Sequence, residues 1–413
     1  MKQFKVRGTR DLLRNSAFAM AKVLKTGQDL LLTAGFQPVF LPILEREDLF
    51  RHSLGDGTDI VMKEMFKVHD PYENQIVLRP EGTAGCMRAY LEACPGDYVK
   101  WQYSGSMFRR ERPQHGRYRE FTQLGAECIG LPGHPFVDVE LIQLAKELLT
   151  QLGVEAELRI NTLGVAAERQ RYVEALKLYF GQNKDKLSPI SQERLLRSPL
   201  RILDSKEPQD KLLLDSAPRL AEYLLPQSQA FFQDVLSGLN TLQIKYVQDP
   251  WLVRGVDYYS HTCFEFINDG RAVLAGGRYD SLSEILGGKK QYTGSGWAAG
   301  VDRLAELLKP EERMTIGVVA LCKAGNQICY DLAPTLRKEL GTNYSVLLVP
   351  GGGLSAGKSL QFIDRQQASL AIIVGDTELQ SSTFTLKDMK TGLQTTHPMS
   401  NIPGLLKRIT EVN

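Results

Sequence analysis

The chain has 413 residues, 43% hydrophobic and 24% charged, with a formal net charge of +2; the length supports two or three domains, and the composition excludes a disordered or low-complexity protein. So small a net charge neither requires nor forbids a nucleic-acid partner, and any basic surface is local. No apolar run reaches the length of a membrane span, Met1-Lys2-Gln3-Phe4 is no charged-then-apolar leader, and the cysteines at 86, 94, 128, 263, 322 and 329 form no CxxC pair or zinc spacing, which predicts a cytoplasmic protein with idle thiols, no zinc and no membrane partner. A helix is predicted over 17–33, where apolar residues recur at helical spacing before Gly35. Residues 36–44 read as a strand carrying Pro38 and Pro42; proline cannot donate to a ladder, so this strand belongs at a sheet edge or an interface. Residues 65–69 and 75–78 read as a hairpin, and Pro80-Glu81-Gly82-Thr83 as a turn into a helix. Thr83 suits a helix cap with Glu81 adding charge nearby, and a bound ligand could use both.

The most chemically loaded stretch runs from 104 to 130. Strand-like runs at 107–111 and 118–129 flank Pro113-Gln114-His115-Gly116, which makes a hairpin with a long tip. Arg109, Arg110, Arg112, Arg117 and Arg119 repel one another unless acids or a polyanion neutralise them. Pairing with Glu111 and Glu120, and binding of a polyphosphate, are both open on the residues alone. Along the second strand Arg119, Phe121, Gln123, Gly125 and Glu127 share one face.

An amphipathic helix follows at 136–152, with Asp138 and Glu140 near its start in accord with the helix dipole, then a strand at 155–161. Residues 164–243, rich in leucine, arginine and glutamine and punctuated by Pro189, Pro199, Pro208, Pro218 and Pro226, read as several short helices inserted between strands of the sheet. Strands return at 244–248, 262–267 and 272–275. Arg254 and the paired Tyr258 and Tyr259 enter the second of these, either as a surface charge beside an aromatic core patch or as ligand contacts. A glycine-rich strand beginning at Gly294 runs into a helix bearing Arg303. Lys309-Pro310-Glu311-Glu312-Arg313 marks a domain boundary. Beyond it, strands at 316–321, 345–349, 370–374 and 383–388 are spaced by helices at 327–340 and 358–367, an α/β pattern with a largely parallel sheet. Residues 352–359 satisfy the formal P-loop pattern. The domain is too small to hold the rest of a nucleotide site, and no acidic Walker B strand accompanies it, so that reading is set aside.

Phe108-Arg109-Arg110-Glu111 resembles motif 2 of the class II aminoacyl-tRNA synthetases. The run 35–46 is similar to their motif 1, and 294–304 to motif 3, with Asp302 and Trp297 where glutamate and phenylalanine are more usual. Residues 78–84 and 112–121 resemble the histidyl-tRNA synthetases, as do 252–259 and Ala275-Gly276-Gly277-Arg278-Tyr279-Asp280, similar to their two histidine-specific motifs. Residues 200–206 resemble the family too, without evident chemistry. On these motifs the chain is identified as a member of the histidyl-tRNA synthetase family.

The resemblance implies an α+β fold: a class II antiparallel-sheet catalytic domain over 1–312 with a helical insertion at about 164–243, and a C-terminal α/β anticodon-binding domain over 315–413. It implies ATP-dependent ligation of L-histidine to histidine tRNA through a histidyl-adenylate, in a homodimer whose interface motif 1 builds. Mg2+ would arrive with ATP, with no metal ligand assigned to the protein. Arg109 and Arg254 would be catalytic, Arg109 on the α-phosphate and Arg254 on both the substrate carboxylate and that phosphate. Arg303 would hold the β and γ phosphates or the adenine, Glu111 the adenine amino group, and Arg117 the ATP. Glu81, Thr83 and Gln123 would take the α-amino group of histidine, and Glu127 with Tyr258 or Tyr259 its ring. Gln114, His115 and Arg117 would meet the acceptor end of the tRNA. Pairing both ring nitrogens rejects analogues by about 10⁴ to 10⁵, which suits a chain with no recognisable editing module. The competing expectation is a catalytically inactive relative that keeps the fold to regulate another enzyme.

Overall fold

The computed structural model describes residues 4–72, 75–112, 116–253, 258–310, 314–353, 355–401, 404, 405, 407 and 409. The chain divides into two compact units, Met1–Pro310 and Glu311–Asn413. The strands of the first are, in chain order, β1 (Gln37–Pro38), β2 (Leu44–Arg46), β3 (Phe66–Val68), β4 (Ile76–Leu78), β5 (Val99–Phe108), β6 (Glu120–Ile129), β7 (Glu157–Thr162), β8 (Val247–Gln248), β9 (Ser260–Asn268), β10 (Arg271–Arg278) and β11 (Gly294–Gly300). Eight of them form one sheet in the order β1-β5-β6-β11-β10-β9-β7-β8, and β2-β4-β3 form a small second sheet. Every pairing in the large sheet is antiparallel except at its two ends, where β1 lies parallel to β5 and β8 parallel to β7.

Side chains alternate faces along a strand, so the sheet separates two apolar cores. Leu124, Ala126 and Cys128 of β6 enter a back core with Val23 and Leu31 of the helix Asn15–Thr33, Leu141 and Leu148 of Pro135–Gln151, and Leu304 of Val301–Leu307. Phe121 and Ile129 join a front core with Tyr103 and Met107 of β5, Met87 of the helix Thr83–Ala93, and Tyr172, Leu176 and Phe180 of the inserted helix Ala166–Gln182. The last helix of the proline-punctuated stretch, Pro226–Thr241, joins the back layer instead. Its Phe232, Val235, Leu236 and Leu239 form an i, i+3, i+4, i+7 stripe that buries behind the sheet.

Several strands differ from expectation, each for a local reason. The strand expected over 36–44 is interrupted: only Gln37 and Pro38 pair, at the sheet edge that proline favours. The carbonyls of Leu41 and Pro42 accept instead from the buried Arg79 guanidinium, whose Nε also donates to Ser106 O. The incoming strand of the arginine hairpin begins at Val99 rather than 107 and ends at Phe108. Arg109 N still donates to Arg119 O at 3.0 Å, but Arg110 N turns away to Glu64 O at 2.6 Å, which ends the ladder before Glu111.

Asp138, expected to serve the helix dipole, is buried against Arg278. Arg278 Nη2 donates to Asp138 Oδ1 at 2.7 Å, its Nη1 to Asp280 Oδ1 at 3.1 Å, and Ser295 Oγ to Asp138 Oδ1 at 2.8 Å. These bonds join β10, β11 and the back helix. Breaking a buried pair leaves an uncompensated charge, so Arg278→Met is expected to destabilise the unit by about 3–5 kcal/mol. Urea unfolding checks this, with Asp138→Leu added to Arg278→Met recovering most of the loss.

The second unit carries β12 (Met314–Ala320), β13 (Tyr344–Val349), β14 (Leu370–Val374), β15 (Thr383–Asp388) and β16 (Gln394–Pro398) in the order β13-β12-β14-β15-β16. The first two pairings are parallel and the last two antiparallel, so the sheet is mixed rather than largely parallel. β15 returns antiparallel to β14 after the helix Asp376–Ser381, and a turn at Asp388, whose Oδ1 accepts from Lys390 N and Thr391 N before Gly392, folds β15 and β16 into a hairpin. Among the described residues no helix is long and apolar enough to cross a membrane.

Candidate active site

The front face of β6 meets the turn before the helix Thr83–Ala93. Glu127 is fully buried there; its Oε1 accepts from Thr83 Oγ1 at 2.7 Å and its Oε2 from Tyr279 Oη at 2.5 Å. Burial pushes its pKa up to about 8, against the opposing pull of those two hydroxyls. Glu81 is also buried, and its carboxylate accepts from Thr83 N at 2.7 Å and Ala84 N at 2.9 Å. The cap expected of Thr83 is therefore made by Glu81, because the turn at Gly82 folds that carboxylate back over the free N–H groups of the first helical turn. Thr83 is left to reach Glu127. Burial raises the Glu81 pKa, and the two N–H groups restrain the rise.

Three tyrosine rings stand beside this pair of carboxylates: Tyr258 lies 4.9 Å from Tyr259 and 5.9 Å from Tyr279, centroid to centroid. Glycine makes room for the carboxylate, since a Cβ on Gly296 would lie 1.7 Å from Glu127 Oε2. Gln123, on the same face of β6, has its Oε1 buried with no hydrogen-bond partner among the described residues.

Next to this pocket lies a cluster of cations. Arg303, half-buried, donates from Nε to Gly116 O at 3.1 Å and from Nη1 to Ala272 O at 2.6 Å. Its pKa is lowered by burial first, then by the charges of Arg117, Arg109 and Arg271, with Glu111 opposing. Four arginines from separate segments thus share one region. Arg117 Nη1 pairs with Glu111 Oε2 at 3.2 Å. Arg109 donates from Nε to Pro80 O at 2.9 Å, and its guanidinium stands 5.3 Å over the Phe121 ring. Glu64 faces the same cluster; burial first, then Glu111, raises its pKa, and Arg109 and Arg117 oppose the rise. Asp302 accepts from Arg10 Nη2 and from Thr122 N, both at 2.6 Å, which fastens the N-terminal segment and the helix of Arg303 to β6. Arg254, Gln114 and His115 lie outside the described residues. Among the described residues no group of three or more His, Cys, Asp or Glu side chains is arranged to hold a metal ion.

Residues 8–304 match the family model described as Histidyl-tRNA synthetase. The chain belongs to the histidyl-tRNA synthetase family. Residues 317–409 match a second model, described as Anticodon binding domain. The chain is 39% identical over 412 residues to the histidine–tRNA ligase of Acaryochloris marina (strain MBIC 11017), a match covering 98% of this chain and 95% of that one. It is 40% identical over 412 residues to the histidine–tRNA ligase of Rhodospirillum rubrum, covering 98% of each. The crystal structure of apo S. aureus histidyl-tRNA synthetase aligns with a TM-score of 0.74 at 29% identity, over 98% of this chain and 99% of that one. An antiparallel-sheet unit followed by a smaller α/β unit is the α+β fold expected from the histidyl-tRNA synthetase motifs.

Glu81, Thr83, Glu127 and Tyr258 gather around one pocket, and Arg109, Glu111, Arg117 and Arg303 beside it. Sequence reasoning passed over Tyr279, Arg271 and Glu64 as site residues. Tyr279 sits in a histidyl-tRNA synthetase motif that was read for its glycines. Arg271 follows the turn Asn268-Asp269-Gly270, and Glu64 precedes β3; neither position carries a local signal.

Proposed function

We propose that this chain joins L-histidine to ATP, releasing pyrophosphate, and then transfers the histidyl group to the terminal ribose of histidine tRNA. The observation that carries the reading is the fully buried Glu127, held by Thr83 and Tyr279, next to a cluster of arginines. In the first step a carboxylate oxygen of histidine attacks the α-phosphorus and the bond to the β-phosphate oxygen breaks. Two anions must meet, so catalysis needs fixed positive charge. Arg109 and Arg254 supply it at the α-phosphate, and Arg303 at the departing phosphates or the adenine. Guanidinium suits the task because it stays protonated and grips oxygens in pairs. Arg117 leaves Glu111 to meet ATP, which frees Glu111 for the adenine amino group. Gln114 and Arg117 then face the acceptor end of the tRNA.

Glu127 accepts from the ring of histidine, with Tyr258 or Tyr259 beside it. Glu81, Thr83 and the unpartnered Gln123 Oε1 take the α-amino group. Mg2+ carried on ATP fits this region: Glu64 is a hard oxygen donor beside the arginines, and magnesium typically takes one or two carboxylates plus phosphates and would draw charge from the leaving pyrophosphate. The C-terminal unit reads anticodon bases by stacking and edge contacts. Exposed Phe40, Ile43 and Leu44 support a homodimer through the 37–46 segment, and a cytoplasmic location accords with a reaction of protein synthesis.

Exchange of labelled pyrophosphate into ATP tests this reading. Exchange is expected with histidine alone among the amino acids, and charging with histidine tRNA. No exchange with histidine would contradict it and favour a binding protein that keeps the fold.

A further inference from the structure

Arg303 is repelled by Arg117, Arg109 and Arg271, and among the described residues its side-chain hydrogen bonds run to two backbone carbonyls, of Gly116 and Ala272. Its place therefore depends on how firmly its helix is held. That helix, Val301–Leu307, has seven residues, too few to be stable without tertiary partners. Val301 and Leu304 bury its apolar side in the back core. On its polar side Arg10, from the N-terminal segment, gathers two carboxylates one helical turn apart. Arg10 Nη2 donates to Asp302 Oδ1 at 2.6 Å, and its Nη1 to Glu306 Oε1 at 3.0 Å. The same guanidinium lies 3.6 Å over the Tyr118 ring, and Tyr118 Oη donates to Glu306 Oε1 at 2.8 Å. Tyr118 stands at the base of the arginine hairpin, two positions after Gly116, whose carbonyl accepts from Arg303 Nε. The N-terminal segment is tied to the hairpin as well, since Arg119 N donates to Gly8 O at 2.8 Å. Arg10, Asp302, Arg303, Gly116 and Tyr118 thus close a ring of contacts that joins the helix to the hairpin. A planar guanidinium can bridge two carboxylates while its face covers an aromatic ring; an ammonium cannot.

We propose that Arg10 is a positioning residue for ATP: it clamps the helix of Arg303 against the base of the hairpin and so fixes the Arg303 guanidinium for the nucleotide. Arg10 acts through Arg303 rather than on ATP itself. The inference rests on the reading of Arg303 as an ATP ligand.

The test uses Arg10→Gln, Arg10→Lys, Arg303→Ala and the pair Arg10→Gln with Arg303→Ala in the full chain, read by histidine-dependent pyrophosphate exchange with each substrate varied in turn. In Arg10→Gln the KM for ATP is expected to rise about tenfold. The KM for histidine should stay within about twofold of the parent, because Glu81 and Glu127 are held by bonds that do not involve Arg10. Arg10→Lys keeps a charge beside Asp302, and with it the fold, and should raise the KM for ATP about threefold. Added to Arg303→Ala, Arg10→Gln should raise that KM by no more than about twofold further, since the two residues act in series. A merely structural role would lower the Tm and the amount of active enzyme and leave both KM values in place. A KM for ATP unmoved in both Arg10 variants would overturn the proposal, and so would a rise that persists in full on the Arg303→Ala background. Should Arg10→Gln not fold, Arg10→Lys decides, and an unmoved KM for ATP in it overturns the proposal. If Arg303→Ala leaves the KM for ATP unchanged, the reading of Arg303 fails and this proposal with it; if Arg303→Ala raises it and the Arg10 variants do not, the Arg10 proposal alone fails.

Discussion

Glu127→Ala is expected to raise the KM for histidine by about a hundredfold or more, or to abolish adenylation, while ATP still binds. The ring N–H loses its acceptor, and the Thr83 and Tyr279 hydroxyls lose theirs in the same step. Steady-state exchange kinetics with each substrate varied in turn check this, and unchanged histidine kinetics would refute the role. The charge on Glu127 adds a pH dependence. Its folded pKa of about 8 lies above the ordinary 4.5. Between those values the unfolded chain has lost the proton and the folded one keeps it, so this group's contribution to stability is full below 4.5, falls as pH rises and levels off above 8. Glu127→Gln should flatten that slope in unfolding experiments across the range. Histidine needs the carboxylate form as acceptor, so its KM should fall as pH rises from 6.5 toward 8 in the parent and not in Glu127→Gln.

Arg109→Ala is expected to lower the rate of adenylation by about 10²–10³ with little change in the KM for histidine, the loss typical of removing one preorganised donor from a site of developing charge. The fold should survive, because among the described residues the Arg109 side chain contributes a single hydrogen bond, to the Pro80 carbonyl. Arg109→Lys should not restore the rate, since a point charge cannot grip two oxygens in parallel. Single-turnover adenylate formation separates this from a binding defect; a normal rate in Arg109→Ala would remove Arg109 from the chemistry.

The arginine hairpin, the turn at Gly82 and the glycine-rich strand into the Arg303 helix were legible because each carries a local signal: alternation, a breaker, or a run of small residues. Their boundaries were less so. β5 was missed upstream of Met107 because its residues are half-buried on both faces, which hides the alternation. The edge strand at Gln37 was visible through its prolines, but its length was not, because Arg79 takes the carbonyls beyond it. Asp138 was misread since its partner, Arg278, lies far along the chain, and a dipole argument sees only the helix itself. The same distance hid the bond between Tyr279 and Glu127. In the C-terminal unit, Asp388 and Gly392 together signal a hairpin, and that signal was available though unused. What the sequence carries well is local geometry and the chemistry of short motifs; partners more than a hundred residues apart emerge only once the sheet brings their strands together.

In the proposed reaction one pocket grips the ring of histidine at Glu127 while arginines beside it take the phosphates of ATP. A crystal structure with histidine and a non-hydrolysable ATP analogue tests this most directly. A ring nitrogen is expected within hydrogen-bond distance of Glu127, the α-amino group against Glu81 and Gln123, and phosphate oxygens against Arg109 and Arg303. Histidine bound away from Glu127, or phosphates that leave both guanidinium groups on their backbone carbonyls, would contradict it.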